Sequence, residues 1–137
     1  EHGTRLRELD GIGPVLAARL IGRTGLATGF ATAAAYATHN GTAPIEIASA
    51  DRQVHRLSRY GDRQLNSAIR TIAMVQVRMS GSAGRAYYDR RIAAGASPRA
   101  AMRCLKRHLS NVVWRIMIAD DTRRRRTTAD PILRLDE

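Results

Sequence analysis

Two glycines bracketing one apolar residue, with proline next, constrain this chain more than any other feature: Asp10-Gly11-Ile12-Gly13-Pro14 leads into Val15-Leu16-Ala17-Ala18-Arg19. Glycine adopts positive φ without a Cβ penalty, so Gly11 and Gly13 permit a sharp hairpin with little bulk. Proline suits the first turn of a helix, where its missing N–H would have had no partner. The pattern predicts a tight turn feeding a helix from Pro14 to about Arg23, with Leu16, Ala17, Leu20 and Ile21 on one face. Leu6 and Leu9 predict a short helix before the turn. The whole of about residues 5–23 then reads as a helix-hairpin-helix, whose bare amides at a helix N-terminus would cradle phosphate, Gly11 and Gly13 setting them on a DNA backbone. An ordinary connection between two helices, with no ligand, has the same local pattern.

Composition narrows the partner. The chain has 137 residues, which suits one domain with or without a tail. Alanine is plentiful and aromatics are 4%, favouring packed helices over a sandwich or barrel. A formal charge of +11 points to a polyanion, nucleic acid before a membrane surface. No apolar run is long enough to span a bilayer, and no signal peptide is visible, so a soluble intracellular protein is expected. Cys104 is alone, which excludes an intrachain disulfide and a multi-cysteine zinc site.

Further along, a helix is expected over about Thr32 to Thr38, with Phe30, Ala33, Ala34 and Ala37 inward, stopped by His39-Asn40-Gly41. Residues 39–61 then form an irregular loop or short β-hairpin, long enough to be functional. Asp62 reads as the N-cap of a helix over about residues 63–80 with Leu65, Ile69, Ile72, Ala73, Val75 and Met79 as its stripe. Gly81 and Gly84 interrupt, a helix follows over about residues 85–94, and Ser97-Pro98 restarts the chain for a long helix to about Ala119, roughly 33 Å. Residues 121–137, with Arg123, Arg124, Arg125 and Arg126, read as a mobile basic tail. The expected fold is therefore all-α: a helix-hairpin-helix-containing bundle of five or six helices in residues 1–120, with its helical core at 63–120, and the tail beyond.

Carboxylates are scattered, with Asp120 and Asp121 adjacent at an expected helix end, and the four histidines lack ligand spacing. No metal site is expected in this chain. Ser49 is different: small neighbours leave its hydroxyl accessible, and Arg52, Arg56, Arg59 and Arg63 follow, with Asp51 and His55 as candidate bases. A serine attacking a DNA phosphate needs a base and cations for the pentavalent transition state. An ordinary loop serine beside a basic turn fits the same residues, and Arg56 to Arg63 also read as an anion-binding approach to the next helix.

An ordered series of pieces carries a resemblance: Leu9-Asp10-Gly11-Ile12-Gly13-Pro14 with its helix, Phe30 and Ala35-Tyr36-Ala37, Ala43-Pro44, and Ser49. It continues through Arg56-Leu57-Ser58-Arg59-Tyr60-Gly61-Asp62-Arg63-Gln64-Leu65, Ala86-Tyr87-Tyr88, and Leu109 with Trp114. Over roughly residues 5–120 this is similar to the C-terminal, serine-bearing domain of insertion-sequence transposases related to the Piv/MooV DNA invertases, the bridge-RNA-guided recombinases. The resemblance implies that Ser49 is the nucleophile forming a phosphoserine link to DNA. It also implies that a separate N-terminal RuvC-like domain supplies acidic residues for magnesium, that an element-encoded guide RNA selects DNA, and that the full-length protein is a homo-oligomer. Ala50 stands where the family usually has glycine. The chain opens on Glu1 rather than methionine, in keeping with a RuvC-like domain lying outside these residues, so this polypeptide alone is expected neither to cleave nor to join DNA. The alternative is a non-catalytic helix-hairpin-helix module that only binds nucleic acid.

Overall fold

Helix α3, Arg63–Arg78, is the element on which the others pack. Its stripe of Leu65, Ala68, Ile69, Ile72 and Ala73 is fully buried, while Arg63, Arg70 and Arg78 face out. A computed structural model describes residues 4–43 and 62–136, with side chains as far as Arg126. Among these residues there are five α-helices and no strand: α1 Pro14–Thr24, α2 Ala33–Asn40, α3, α4 Ala83–Ala93 and α5 Pro98–Asp136. Short 3-10 turns at Leu6–Glu8 and Ala27–Gly29 precede α1 and α2. The all-α reading holds. Of the loop or β-hairpin expected at residues 39–61, His39 and Asn40 instead end α2, and residues 44–61 lie outside the described residues.

Each helix starts where a local signal tells it to. Thr32 Oγ1 accepts from Ala35 N at 3.1 Å, Asp62 Oδ1 from Leu65 N at 2.9 Å, Ser82 Oγ from Arg85 N at 3.0 Å and Ser97 Oγ from Ala100 N at 3.1 Å. These side chains satisfy first-turn donors that have no partner within the helix. Gly41 ends α2 at φ +82°, in the left-handed region. The stretch before the hairpin is one 3-10 turn, not an α-helix, with Leu6 fully buried.

Four details depart from the sequence expectation. Helix α3 ends at Arg78, so Met79, expected on its buried stripe, is its exposed C-cap residue. In α2 it is Tyr36 that turns inward with Ala37, and Ala34 is exposed. Gly84 lies inside α4 rather than ahead of it. Helix α5 does not stop near Ala119 but continues through residues 121–136, so Asp120 and Asp121 are helical, not terminal. Arginine is a good helix former. Arg123 and Arg124 reach back one turn to Asp120 and Asp121, at 2.6 Å and 2.5 Å, and Thr122 Oγ1 donates to Ile118 O.

The core is α3 against α1, α4 and α5, with α2 laid on α5. Ala101, Leu105, Leu109, Val113 and Met117 form the buried stripe of α5. Trp114 Nε1 donates to Ala27 O at 3.0 Å, fixing the segment between α1 and α2. Tyr36 is fully buried, its hydroxyl 2.8 Å from Thr24 Oγ1, and burial pushes its pKa up to about 12. A phenol whose folded pKa exceeds its unfolded value of about 10 binds more protons when folded. Stability from this group is therefore complete below pH 10 and falls between pH 10 and 12, by on the order of 2 kcal/mol. Urea titrations across that window should show this alkaline loss in the native protein and a shallower one in Tyr36→Phe. Identical slopes would refute the assignment.

Candidate nucleic-acid interface

Gly11 and Gly13 play different parts. Gly11 has φ +90°, and a Cβ there would meet Ile72 O and the Val75 side chain at 3.4 Å, so the fold itself requires glycine. Ile12 between them is buried at 5% exposure, pinning the turn to the core. Gln76 of α3, itself buried, donates from Nε2 to Asp10 O at 2.7 Å and clamps the turn from below. Gly13 is exposed, has φ −91°, and a Cβ there would meet nothing within 4 Å. Among the described residues nothing demands glycine at this position.

Gly13 is the N-cap of α1. No side chain caps this helix, and its first turn holds no acidic residue. Pro14 has no N–H to offer, so the amides of Val15 and Leu16 are the first-turn donors, at the positive end of the helix dipole. The contrast with α3 is instructive. There Asp62 accepts from Leu65 N and pairs with Arg23 Nε at 2.9 Å, so a carboxylate already occupies the helix N-terminus beside Arg63. Of the anion-binding approach expected at residues 56–63, residues 56–61 lie outside the described residues, and Asp62 holds the helix start. Arg63 itself is exposed on the first turn.

Ser49, Arg52, Arg56 and Arg59 lie outside the described residues, but both roots of their segment are well defined. At the outgoing root, Thr42 N and Ala43 N both donate to Ala37 O, at 2.9 and 3.2 Å. At the returning root, Asp62 N donates to His39 O at 3.3 Å, and Asn66 Nδ2 donates to Asn40 O at 3.0 Å. Asn40, 1% exposed, ties the outgoing root to α5 through its side chain: its Nδ2 donates to Ser110 Oγ at 2.9 Å, and its Oδ1 accepts from Thr42 N and Thr42 Oγ1. Its backbone carbonyl is the acceptor from Asn66 at the returning root. A buried amide with one N–H and both acceptor positions used is a rigid joint.

Of the four tail arginines, Arg123 and Arg124 pair with Asp120 and Asp121, while Arg125 and Arg126 are exposed on the same helix. Asp120 also accepts from Thr4 Oγ1 at 2.8 Å and from Arg5 N at 3.3 Å, tying the N-terminal segment to α5. Sequence reasoning missed the body of α5. Residues 98–119 carry Arg99, Arg103, Lys106, Arg107 and Arg115 and no carboxylate, a bias visible in the sequence but masked there by the apolar stripe. Burial, then the charges of Arg70 and Arg103, lower the Lys106 pKa. Burial, then Arg115, acts in the same direction on Arg107. Like charges therefore gather across α3 and α5.

No three His, Cys, Asp or Glu side chains converge as a metal site among the described residues, and no helix among them is long and apolar enough to cross a membrane. Comparison with curated proteins and with solved structures found no match. The profile of the family described as Transposase IS116/IS110/IS902 matches residues 3–89, from the hairpin through α3 and into α4. With well over half of its length matched, the chain belongs to the Transposase IS116/IS110/IS902 family and has a role in insertion-sequence transposition.

Proposed function

We propose that this chain is the DNA-gripping, serine-bearing part of its transposase, acting with an N-terminal RuvC-like domain, an element-encoded guide RNA and further copies of itself. The observation that carries the reading is Gly13: a glycine that no described residue requires, at a helix N-terminus with no side-chain cap and no acidic residue in its first turn. Absence of a side chain there lets a phosphate approach the amides of Val15 and Leu16 closely, as a helix-hairpin-helix does. Support for the serine comes from the joint at Asn40, which holds both roots of residues 44–61 on one rigid base. Precise placement of a nucleophile needs such a base.

In this reading Ser49 Oγ attacks phosphorus. A serine O–P bond forms as the P–O bond to one strand end breaks; the serine proton leaves to a base and the departing oxygen takes up a proton. Arg52, Arg56, Arg59 and Arg63 neutralise the charge that builds on the phosphoryl oxygens. Magnesium belongs to the RuvC-like domain: here Asp62 is engaged by Arg23, and Asp120 and Asp121 by Arg123 and Arg124. The test is one experiment on the full-length protein. Ser49→Ala should abolish strand transfer and covalent DNA attachment while duplex affinity stays within about twofold, and Gly13→Ala should weaken duplex binding several-fold with a stability change below about 1 kcal/mol. Strand transfer surviving in Ser49→Ala would leave the non-catalytic binding module as the function.

A further inference from the structure

Tyr87 of α4 and His108 of α5 lie ring on ring, centroids 4.7 Å apart and planes 10° from parallel. The guanidinium carbons of Arg90 and Arg91 stand 5.9 and 6.0 Å from the Tyr87 centroid, and Arg91 Nη2 donates to Cys104 Sγ at 3.2 Å. Tyr87 is half-buried and His108 is the more exposed of the two. Burial, then the charges of Arg115 and Arg90, lower the His108 pKa, so at neutral pH the ring is an uncharged aromatic surface among cations.

Tyr87 packs against the core, but His108 stands exposed beyond it. A solvated charged surface would intersperse acids, yet residues 98–119 have none, and Asp89 of α4 is engaged by Arg85 at 3.1 Å. Flat aromatic surface plus arginines suits a ligand with exposed π-faces and a polyanionic backbone. Duplex bases are stacked on one another and cannot reach such a ring, whereas unpaired bases can.

We propose that the α4–α5 surface around Tyr87 and His108 binds an unpaired polynucleotide strand, one base stacking on the His108 ring and neighbouring phosphates lying on Arg90, Arg91 and Arg115. The inference rests on the reading of this chain as a nucleic-acid-binding domain but uses residues that neither the hairpin nor the serine segment employs.

Fluorescence anisotropy on the full chain tests it, with short labelled uridine and thymidine homo-oligonucleotides, a duplex of equal length, and vesicles rich in phosphatidylserine. His108→Ala should weaken single-strand binding about tenfold and leave duplex binding within about twofold. The double variant Arg90→Ala/Arg115→Ala should weaken single-strand binding further and flatten its salt dependence by roughly one to two in log–log slope. The strand type that loses more, ribose or deoxyribose, identifies the sugar preferred. Circular dichroism should show both variants folded, which their exposed positions favour. Unchanged single-strand affinity in both variants, equal loss on duplex, or equal loss on vesicles would overturn the proposal. Duplex binding by the native chain without single-strand binding would sink this inference alone. Single-strand binding with duplex affinity insensitive to Gly13→Ala would sink the hairpin reading alone.

Discussion

Replacing Gly84 with alanine is expected to destabilise the protein by about 2–4 kcal/mol, the reverse of what a glycine-to-alanine change inside a helix usually does. Helix propensity alone favours alanine by up to about 1 kcal/mol. Here the added Cβ would fall 1.9 Å from Gln76 Oε1, 2.6 Å from Gln76 Cβ and 2.9 Å from its Cδ. The amide tip of Gln76 could swing away, but its Cβ is fixed to the backbone of α3, so α4 must move off. Swinging the tip also breaks the 2.7 Å bond to Asp10 O that clamps the glycine turn. An overpacked contact costs about 1–3 kcal/mol and a buried hydrogen-bonding group left unpaired costs a similar amount, which outweighs the propensity gain. Urea denaturation should show a lower midpoint with an unchanged slope. The double variant Gly84→Ala/Gln76→Ala should be less unstable than the sum of the singles, because the two changes share one contact. A midpoint at or above the native value for Gly84→Ala would show that α4 does not sit this close to α3.

Asn40→Ala should cost roughly 3 kcal/mol, with a consequence confined at first to the roots of the serine segment. The substitution strands Ser110 Oγ, which is fully buried, and removes the acceptor of Thr42 N and Thr42 Oγ1. Each of these groups gave up water on folding, so each loses its compensation. The joint should then open more readily than the rest of the core. Amide exchange at Thr42, Ala43 and Asp62 should accelerate tens of fold, beyond any change at Ile69 or Ile72. Thr42→Val, which removes one hydroxyl and keeps the Asn40 side chain, should have a smaller effect in the same direction. Uniform acceleration throughout α3 would mean that Asn40 supports global stability and not the local joint. On the functional reading, Asn40→Ala also lowers strand transfer more than duplex binding, because it loosens the roots at Thr42 and Asp62 and leaves Gly13 in place.

Local chemistry in the sequence determined a good deal. Periodicity alone placed Leu65, Ile69, Ile72 and Ala73 on the buried face of α3 and Arg63, Arg70 and Arg78 outside it. It also put Val75 and Met79 on that face, where Val75 is only half-buried and Met79 is exposed past the helix end. Asp62, Ser97-Pro98, Gly41 and Gly11 set helix boundaries and the turn because capping and positive φ are satisfied within a few residues of each position. Only the tertiary structure decided the rest. Gly84 looks like a helix breaker until Gln76 is set against it; Asn40 looks like a helix stop until Ser110 arrives from far along the chain. Asp120 and Asp121 mark no helix end, because Arg123 and Arg124 pair with them one turn on. Gly13 and Gly11 are alike in sequence and opposite in space, since one faces α3 and the other faces nothing. Likewise Tyr87 and His108 become one surface only because α4 folds back along α5. Short-range signals act through bonds and turns that the chain carries with it, whereas these pairings depend on which helix faces are brought together by burial of apolar area, a property of the whole fold.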